Sequence, residues 1–245
     1  SIGKIKERQN SMDFVKEIEA LGMTITKENL EKFSIYYETL IQVNQVMNLT
    51  AITEKDEVYR KHFLDSLEIK RVLPTTPYSL CDVGSGAGFP SVPLAILDSN
   101  IKVTIIDALN KRIQFLNTLT EKLDLAHVCA IHARAEDYVK EKREAFDVVT
   151  ARAVARLSIL AELCLPLTKV GGLFIAMKGS SGEEEMKEAN RAIELLGGRV
   201  KEIVSFTLPD EEEMRQLIVI EKIKATPLKY PRSYGKIKEK PLCTL

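Results

Sequence analysis

The stretch Leu80-Cys81-Asp82-Val83-Gly84-Ser85-Gly86-Ala87-Gly88-Phe89-Pro90 decides the fold. An apolar run ends in Asp82 and enters a Gly-x-Gly-x-Gly turn. Glycine tolerates positive φ and leaves bare backbone for a ligand to lie against, with the next helix N-terminus pointing at it. Alone, such a turn is weak evidence, because tight turns use glycine for purely structural reasons. Here a strand precedes it, a helix follows, and a second acid accompanies it. The run Lys102-Val103-Thr104-Ile105-Ile106 ends in Asp107, 25 residues after Asp82. An acid at the tip of a second strand is placed to accept both hydrogen bonds of a ribose diol. The competing role for Asp107 is to cap a helix over 110–123.

Outward from this turn, strand-length apolar runs alternate with amphipathic helical stretches. Strands are expected at 78–83, 103–106, 128–131, 146–150 and 172–177, with helices at 113–123 and 157–167 between them. Such alternation implies βαβ units around a buried parallel sheet. Two further strand-like runs, 200–206 and 216–220, flank the acidic loop 210–213 and predict an antiparallel hairpin that closes the sheet. Upstream, Leu30, Phe33, Tyr37 and Leu40 recur at helical spacing, and Tyr36, Ile41 and Met47 widen the stripe. A second amphipathic segment covers 56–73. The expected organisation is a helical N-terminal region (1–76), a doubly wound, Rossmann-like α/β domain (77–223) and a basic tail without clear period (224–245).

Composition narrows the class. The chain has 245 residues, 45% hydrophobic and 29% charged, which excludes a collagenous or mainly disordered protein. No apolar run is long enough for a membrane span. Residues 1–10 are basic and polar with no apolar stretch after them, so no secretory leader is expected. Cys81, Cys129, Cys164 and Cys243 form no CxxC pair and His62, His127 and His132 make no cluster with them. Reduced thiols, a cytoplasmic location and no metal are the expectation. Formal net charge is +0, yet 222–240 holds seven basic residues against one acid. A cationic tail on an acidic body points to a polyanion partner, or to a solubilising tail.

Glycine spacing separates two cofactors. A dinucleotide fingerprint reads Gly-x-Gly-x-x-Gly, its glycines admitting a pyrophosphate. Here the motif is Gly-x-Gly-x-Gly preceded by Asp82, an acid that repels a pyrophosphate but suits a zwitterionic sulfonium ligand. The pattern resembles the first motif of class I S-adenosylmethionine-dependent methyltransferases, and NAD is the weaker reading. Arg134-Ala135-Glu136-Asp137 follows the third strand, where Glu136 or a backbone group can meet an adenine edge; the alternative is a solvated helix start. The fourth strand delivers Ala151-Arg152-Ala153 to the same rim, so Arg152 faces the cofactor or an anionic substrate.

Together these residues resemble the RsmG (GidB) family, the guanine-N7 methyltransferases of bacterial 16S ribosomal RNA. The resemblance runs from about Leu30 to the tail. It includes Asn48-Leu49-Thr50, Lys61-His62-Phe63-Leu64-Asp65-Ser66, Asp82 to Pro90, Asp107, and Asn110-Lys111-Arg112. It continues through Arg134 to Asp137, Thr150 to Ala153, Lys178-Gly179, Tyr230-Pro231-Arg232 and Pro241-Leu242. Val43 and Ile237 depart from it, standing where many relatives carry tryptophan and proline. The resemblance implies S-adenosylmethionine contacts at Gly84, Phe89, Ala135, Glu136 and Arg152, with Gly86 lining the loop and Asp107 on the ribose. It implies a guanine in the decoding region, usually numbered 527, as the target.

Guanine N7 already has a lone pair, so no general base is needed and Arg152 is expected to position rather than to take a proton. Lys111, Arg112, Lys178 and Arg232 are the expected RNA-side cations, contacting phosphates. Tyr234 and Tyr230 can stack on bases or pack the tail, with packing favoured for Tyr230. The tail is thus expected to serve RNA more than cofactor. His62 and Asp65, one helical turn apart, can pair, and a fixed, hydrogen-bonded core histidine is the favoured outcome. Partners are 16S ribosomal RNA or the small subunit, with no membrane, and a monomer is expected. The alternatives are a methyltransferase for a small molecule or protein, or a non-catalytic RNA-binding assembly factor.

Overall fold

The computed structural model describes residues 14–152 and 155–242; Ala153 of the rim motif, Cys243 and the first eleven residues lie outside them. Helix α1 (residues 14–20) is followed by α2 (Lys27–Asn44), whose N-cap Thr26 accepts from Asn29 N while the Asn29 side chain accepts from Thr26 N. That reciprocal cap satisfies donors a helix start otherwise leaves orphaned. The segment expected as one amphipathic helix is composite. It runs α3 (Lys55–Val58), a π-helical turn (Tyr59–Leu64), α4 (Asp65–Leu67) and a 3₁₀ turn (Glu68–Arg71). Wide turns of this kind are rare and frequently mark functional positions.

Seven strands make one sheet: β1 (Tyr78–Val83), β2 (Ile101–Asp107), β3 (Val128–His132), β4 (Phe146–Arg152), β5 (Thr168–Lys178), β6 (Gly198–Thr207) and β7 (Met214–Lys222). Their order is β3-β2-β1-β4-β5-β7-β6. The first five are parallel, and β7 runs antiparallel to both neighbours. The expected hairpin therefore forms, but its second strand inserts beside β5 and its first becomes the edge. Burial explains that choice. Positions 216–220 of β7 are all buried, whereas β6 is mostly exposed or half-buried along its length. A strand apolar on both faces belongs inside a sheet; an edge tolerates polar faces.

Crossover helices α5 (Ser91–Leu97), α6 (Asn110–Lys122), α7 (Ala135–Lys142), α8 (Leu157–Cys164) and α9 (Gly182–Leu195) cover the two faces. On one face Phe33, Tyr36 and Phe63 of the N-terminal helices share a core with Leu80, Val103 and Leu116. On the other, Leu160, Phe174 and Ile193 pack with Tyr230 and Ile237 of the tail. The tail is thus docked, and it ends in a short helix, α10 (Tyr234–Glu239), that the sequence period did not announce. Ile237, the departure from the family pattern, is its wholly buried anchor. No helix among the described residues is long and apolar enough to cross a membrane.

Candidate active site

At the carboxyl ends of β1, β2 and β4, where open α/β sheets bind ligands, lies a cleft of about 590 Å³. Gly84, Gly86 and Phe89 of the glycine turn line it, with Asp107, Ala135 and Glu136 from the β2 and β3 side and Arg152 from the β4 side. The fold thus brings all seven residues singled out for a cofactor to one place. Arg112 also lines it and lies 3.6 Å from Asp107. Asp107 Oδ1 accepts from Leu109 N at 2.9 Å and Oδ2 from Gly86 N at 3.4 Å, so the acid ties the second strand tip to the glycine turn. Ala135 and Glu136 begin α7, so helix start and cleft wall are one feature.

The turn suits a bound ligand. Gly86 has φ +61°, and a Cβ there would meet nothing within 4 Å, leaving backbone open to the cleft. At Gly88, φ +102°, a Cβ would fall 2.6 Å from Tyr36 Oη. Tyr36 of α2 donates to Ala87 O at 2.6 Å, and its ring stacks on Phe89 at 5.5 Å. The N-terminal helices therefore buttress the turn. Ser85 Oγ and Asp82 Oδ1 are buried and take no hydrogen bond within the described residues. Such atoms in a native fold call for a partner. Open glycine backbone, the orphaned Ser85 hydroxyl and a carboxylate at the second strand fit a zwitterionic nucleoside such as S-adenosylmethionine.

Asp82 itself sits beneath the cleft rather than in it. It is wholly buried, and its Oδ2 accepts from Ser91 N at the start of α5 at 3.1 Å. Burial pushes its carboxyl up to about 7, against the pull of Ser91 and Arg152. Native protein then holds a proton that unfolded chain releases near pH 4, so stability falls as pH rises from about 4 to about 7. The difference is worth about 4 kcal/mol at pH 8. Asp82→Asn removes this cost but leaves an amide donor unpaired, worth about 1–3 kcal/mol. The variant is expected to melt a few degrees higher than wild type at pH 8 and to show no gain at pH 4.5. A gain of equal size at both pH values would show that Asp82 is not the titrating group.

The structure adds residues that sequence reasoning missed. Arg152 Nη2 donates to His62 Nδ1 at 2.9 Å, and Nη1 to Asp65 Oδ2 at 3.3 Å and Lys61 O at 3.4 Å. His62 is the fixed, hydrogen-bonded histidine that was the favoured outcome, and both it and Asp65 bond Arg152. Arg215 of β7 takes the other Asp65 oxygen at 3.3 Å. His62 Nε2 bonds Thr50 Oγ1 at 2.7 Å, and its ring stacks on Phe89 at 4.5 Å. A guanidinium only donates, so Nδ1 accepts and the ring proton sits on Nε2. Burial, reinforced by Arg152 and Arg215, pushes His62 down to about 3. The imidazole is neutral and fixed.

His62 and Arg152 also face a second cavity of about 220 Å³, bounded by Lys178, Gly179, Phe206 and Arg215. Two clefts thus meet across one His62–Arg152 wall. The expected RNA-side cations are distributed unevenly. Lys111 is exposed at the start of α6. Lys178 is spent on a buried pair with Glu185 at 3.1 Å and on Ala155 O. Arg232 lies in a fork on the wholly buried Glu162, its Nη2 2.7 Å from Oε1. Lys222, counted with the tail, is buried in β7 against Glu144 at 3.1 Å. Of the tail cations, Lys224, Lys229, Lys236, Lys238 and Lys240 remain exposed.

Strand order, antiparallel seventh strand and glycine-lined cleft define a class I methyltransferase. Solved structures agree. A predicted O-methyltransferase of Agrobacterium tumefaciens superposes with TM-score 0.52 at 19% identity, over 67% of this chain and 81% of its own. TYW2 of M. jannaschii, in complex with AdoMet, does so with TM-score 0.50 at 16% identity, over 62% and 72%. At those identities the likeness concerns the fold alone. Sequence carries the family. Residues 29–217 match the family described as rRNA small subunit methyltransferase G, also called GidB. The ribosomal RNA small subunit methyltransferase G of a Bacillus cereus strain is 54% identical over 229 residues, 92% of this chain and 96% of the relative. Its counterpart in Bacillus thuringiensis (strain Al Hakam) is equally similar. The chain belongs to the rRNA small subunit methyltransferase G family.

Proposed function

We propose that the protein transfers a methyl group from S-adenosylmethionine to N7 of a guanine in 16S ribosomal RNA, the nucleotide usually numbered 527, acting as a monomer in the cytoplasm. The observation that carries this reading is that both groups at the wall shared by the two clefts that could take a proton are engaged: His62 Nδ1 accepts from Arg152, and the Asp65 carboxylate of the second cavity is held by Arg152 and Arg215. When bound, the cofactor supplies an electrophilic methyl group on a sulfonium. Gly84, Gly86 and Phe89 would hold its amino-acid end, Asp107 its ribose, and Ala135 and Glu136 its adenine. The second cavity, large enough for one purine, would take the guanine.

A base is not missing from this site; the acceptor makes one unnecessary. His62 Nδ1 is occupied by Arg152 and held neutral, and Arg152 can only donate. An acceptor that must lose a proton, such as an exocyclic amine or a hydroxyl, would meet His62, whose Nδ1 is occupied, and Asp65, whose carboxylate is held by Arg152 and Arg215. A ring nitrogen with a free lone pair needs only alignment and a charge-tolerant surface. Lys111 and the exposed tail lysines supply phosphate contacts that orient the RNA.

The test is transfer from radiolabelled S-adenosylmethionine to small subunits that lack the modification, with digestion to nucleosides. Label in 7-methylguanosine is the expected result. Label in a different nucleoside, or in protein, would overturn the choice of atom or substrate.

A further inference from the structure

We infer that Tyr234 is a cofactor-contact residue, so that the C-terminal tail builds the outer wall at the nucleoside end of the cleft. This rests on reading the cleft as the S-adenosylmethionine site. Tyr234 opens α10 and lines the larger cleft together with Ala135, Glu136 and Leu163. It does not line the second cavity, where the acceptor base is placed. The aromatic ring therefore meets the cofactor side of the His62–Arg152 wall. Tyr234 is 37% exposed, whereas Tyr230 and Ile237 of the same segment are buried in the core.

A six-residue helix does not hold itself in place. This one is held by what precedes it. Arg232 contacts Glu162 of α8 through its backbone N at 2.7 Å and through its guanidinium. Arg143 Nη2 donates to Tyr230 O at 2.6 Å, and Thr226 Oγ1 to Leu196 O at 2.6 Å. These bonds tie the tail to α8, to the loop after α7 and to the end of α9. A half-exposed aromatic ring, pinned by buried neighbours at a cleft rim beside an adenine-edge site, is a preformed stacking surface. Stacking of a base on an aromatic ring typically changes affinity by about tenfold when the ring is removed. The tail then serves both substrates: its outward lysines face phosphate, and its first helical residue faces the nucleoside.

The chain has no tryptophan, so Tyr234→Trp places a unique indole on this wall. Titration with S-adenosylhomocysteine should change indole emission saturably, with the midpoint that calorimetry gives for binding to that variant. By calorimetry, Tyr234→Phe should bind S-adenosylhomocysteine within twofold of wild type and Tyr234→Ala about tenfold more weakly, with thermal melts showing all variants folded. Tyr234→Ala binding the cofactor product like wild type, with a silent indole, would overturn the assignment. So would a loss confined to RNA affinity, which would make Tyr234 an RNA residue. Absence of binding to wild type would instead overturn the cofactor reading, and this assignment with it.

Discussion

Arg152→Ala is expected to lower methyl transfer to small-subunit RNA by at least about 100-fold, the scale of removing one preorganised polar group from a reacting site. The guanidinium does three things at once. It fixes the His62 ring through Nδ1, holds Asp65, and lies 5.0 Å over the Phe89 ring. Alanine releases all three, and it opens the wall between the two clefts. Stability should fall by less than the 3–5 kcal/mol typical of stranding a buried charge, because Arg215 still neutralises Asp65. Arg152→Lys separates charge from geometry. An ammonium cannot reach His62 and Asp65 as a planar fork does, so the lysine variant should regain most of the melting temperature but little of kcat. Methyl transfer by Arg152→Ala within threefold of wild type would sink the positioning role.

The larger cleft was legible in the sequence because local backbone demands made it so. A turn with positive φ needs glycine, an acid ends the second strand, and both requirements fall within 25 residues of Asp82. The parallel strands were legible for a similar reason, since apolar runs buried on both faces stand out against amphipathic helices. What stayed hidden depended on long-range partners. Spacing brought His62 and Asp65 within one turn of each other, but it could not show that β4 and β7 bring Arg152 and Arg215 to the same point. A charge count of the tail treated Lys222 and Arg232 as free, although carboxylates from distant elements, Glu144 and Glu162, had claimed them. Tyr36 read as one more apolar residue of a helix stripe; its hydroxyl reaches the glycine turn only through the tertiary fold.

The second large effect belongs to that tail. Arg232→Ala should destabilise the protein by about 3 kcal/mol, near the lower end for removing one partner of a buried pair, since Arg232 keeps some solvent contact. The carboxylate of Glu162 has no exposure and takes the Arg232 backbone N, Nε and Nη2. With alanine it keeps the backbone donor but loses its counter-charge in an apolar core of Leu160, Tyr230 and Ile237. For a domain of this size the loss corresponds to a melting temperature lower by about 6–12 °C. Replacing both partners, Glu162→Leu with Arg232→Leu, should recover most of that difference, because an apolar pair of similar volume carries no stranded charge. The double variant would then be folded yet lack the fork that fixes the entry to α10. Comparing it with wild type by calorimetry with S-adenosylhomocysteine separates stability from placement. Weaker binding by a stable double variant would mean that the ion pair holds the tail over the cleft; unchanged binding would mean that Tyr230 and Ile237 hold it there by packing alone. A double variant no more stable than Arg232→Ala would show that the stranded carboxylate is not the source of the loss.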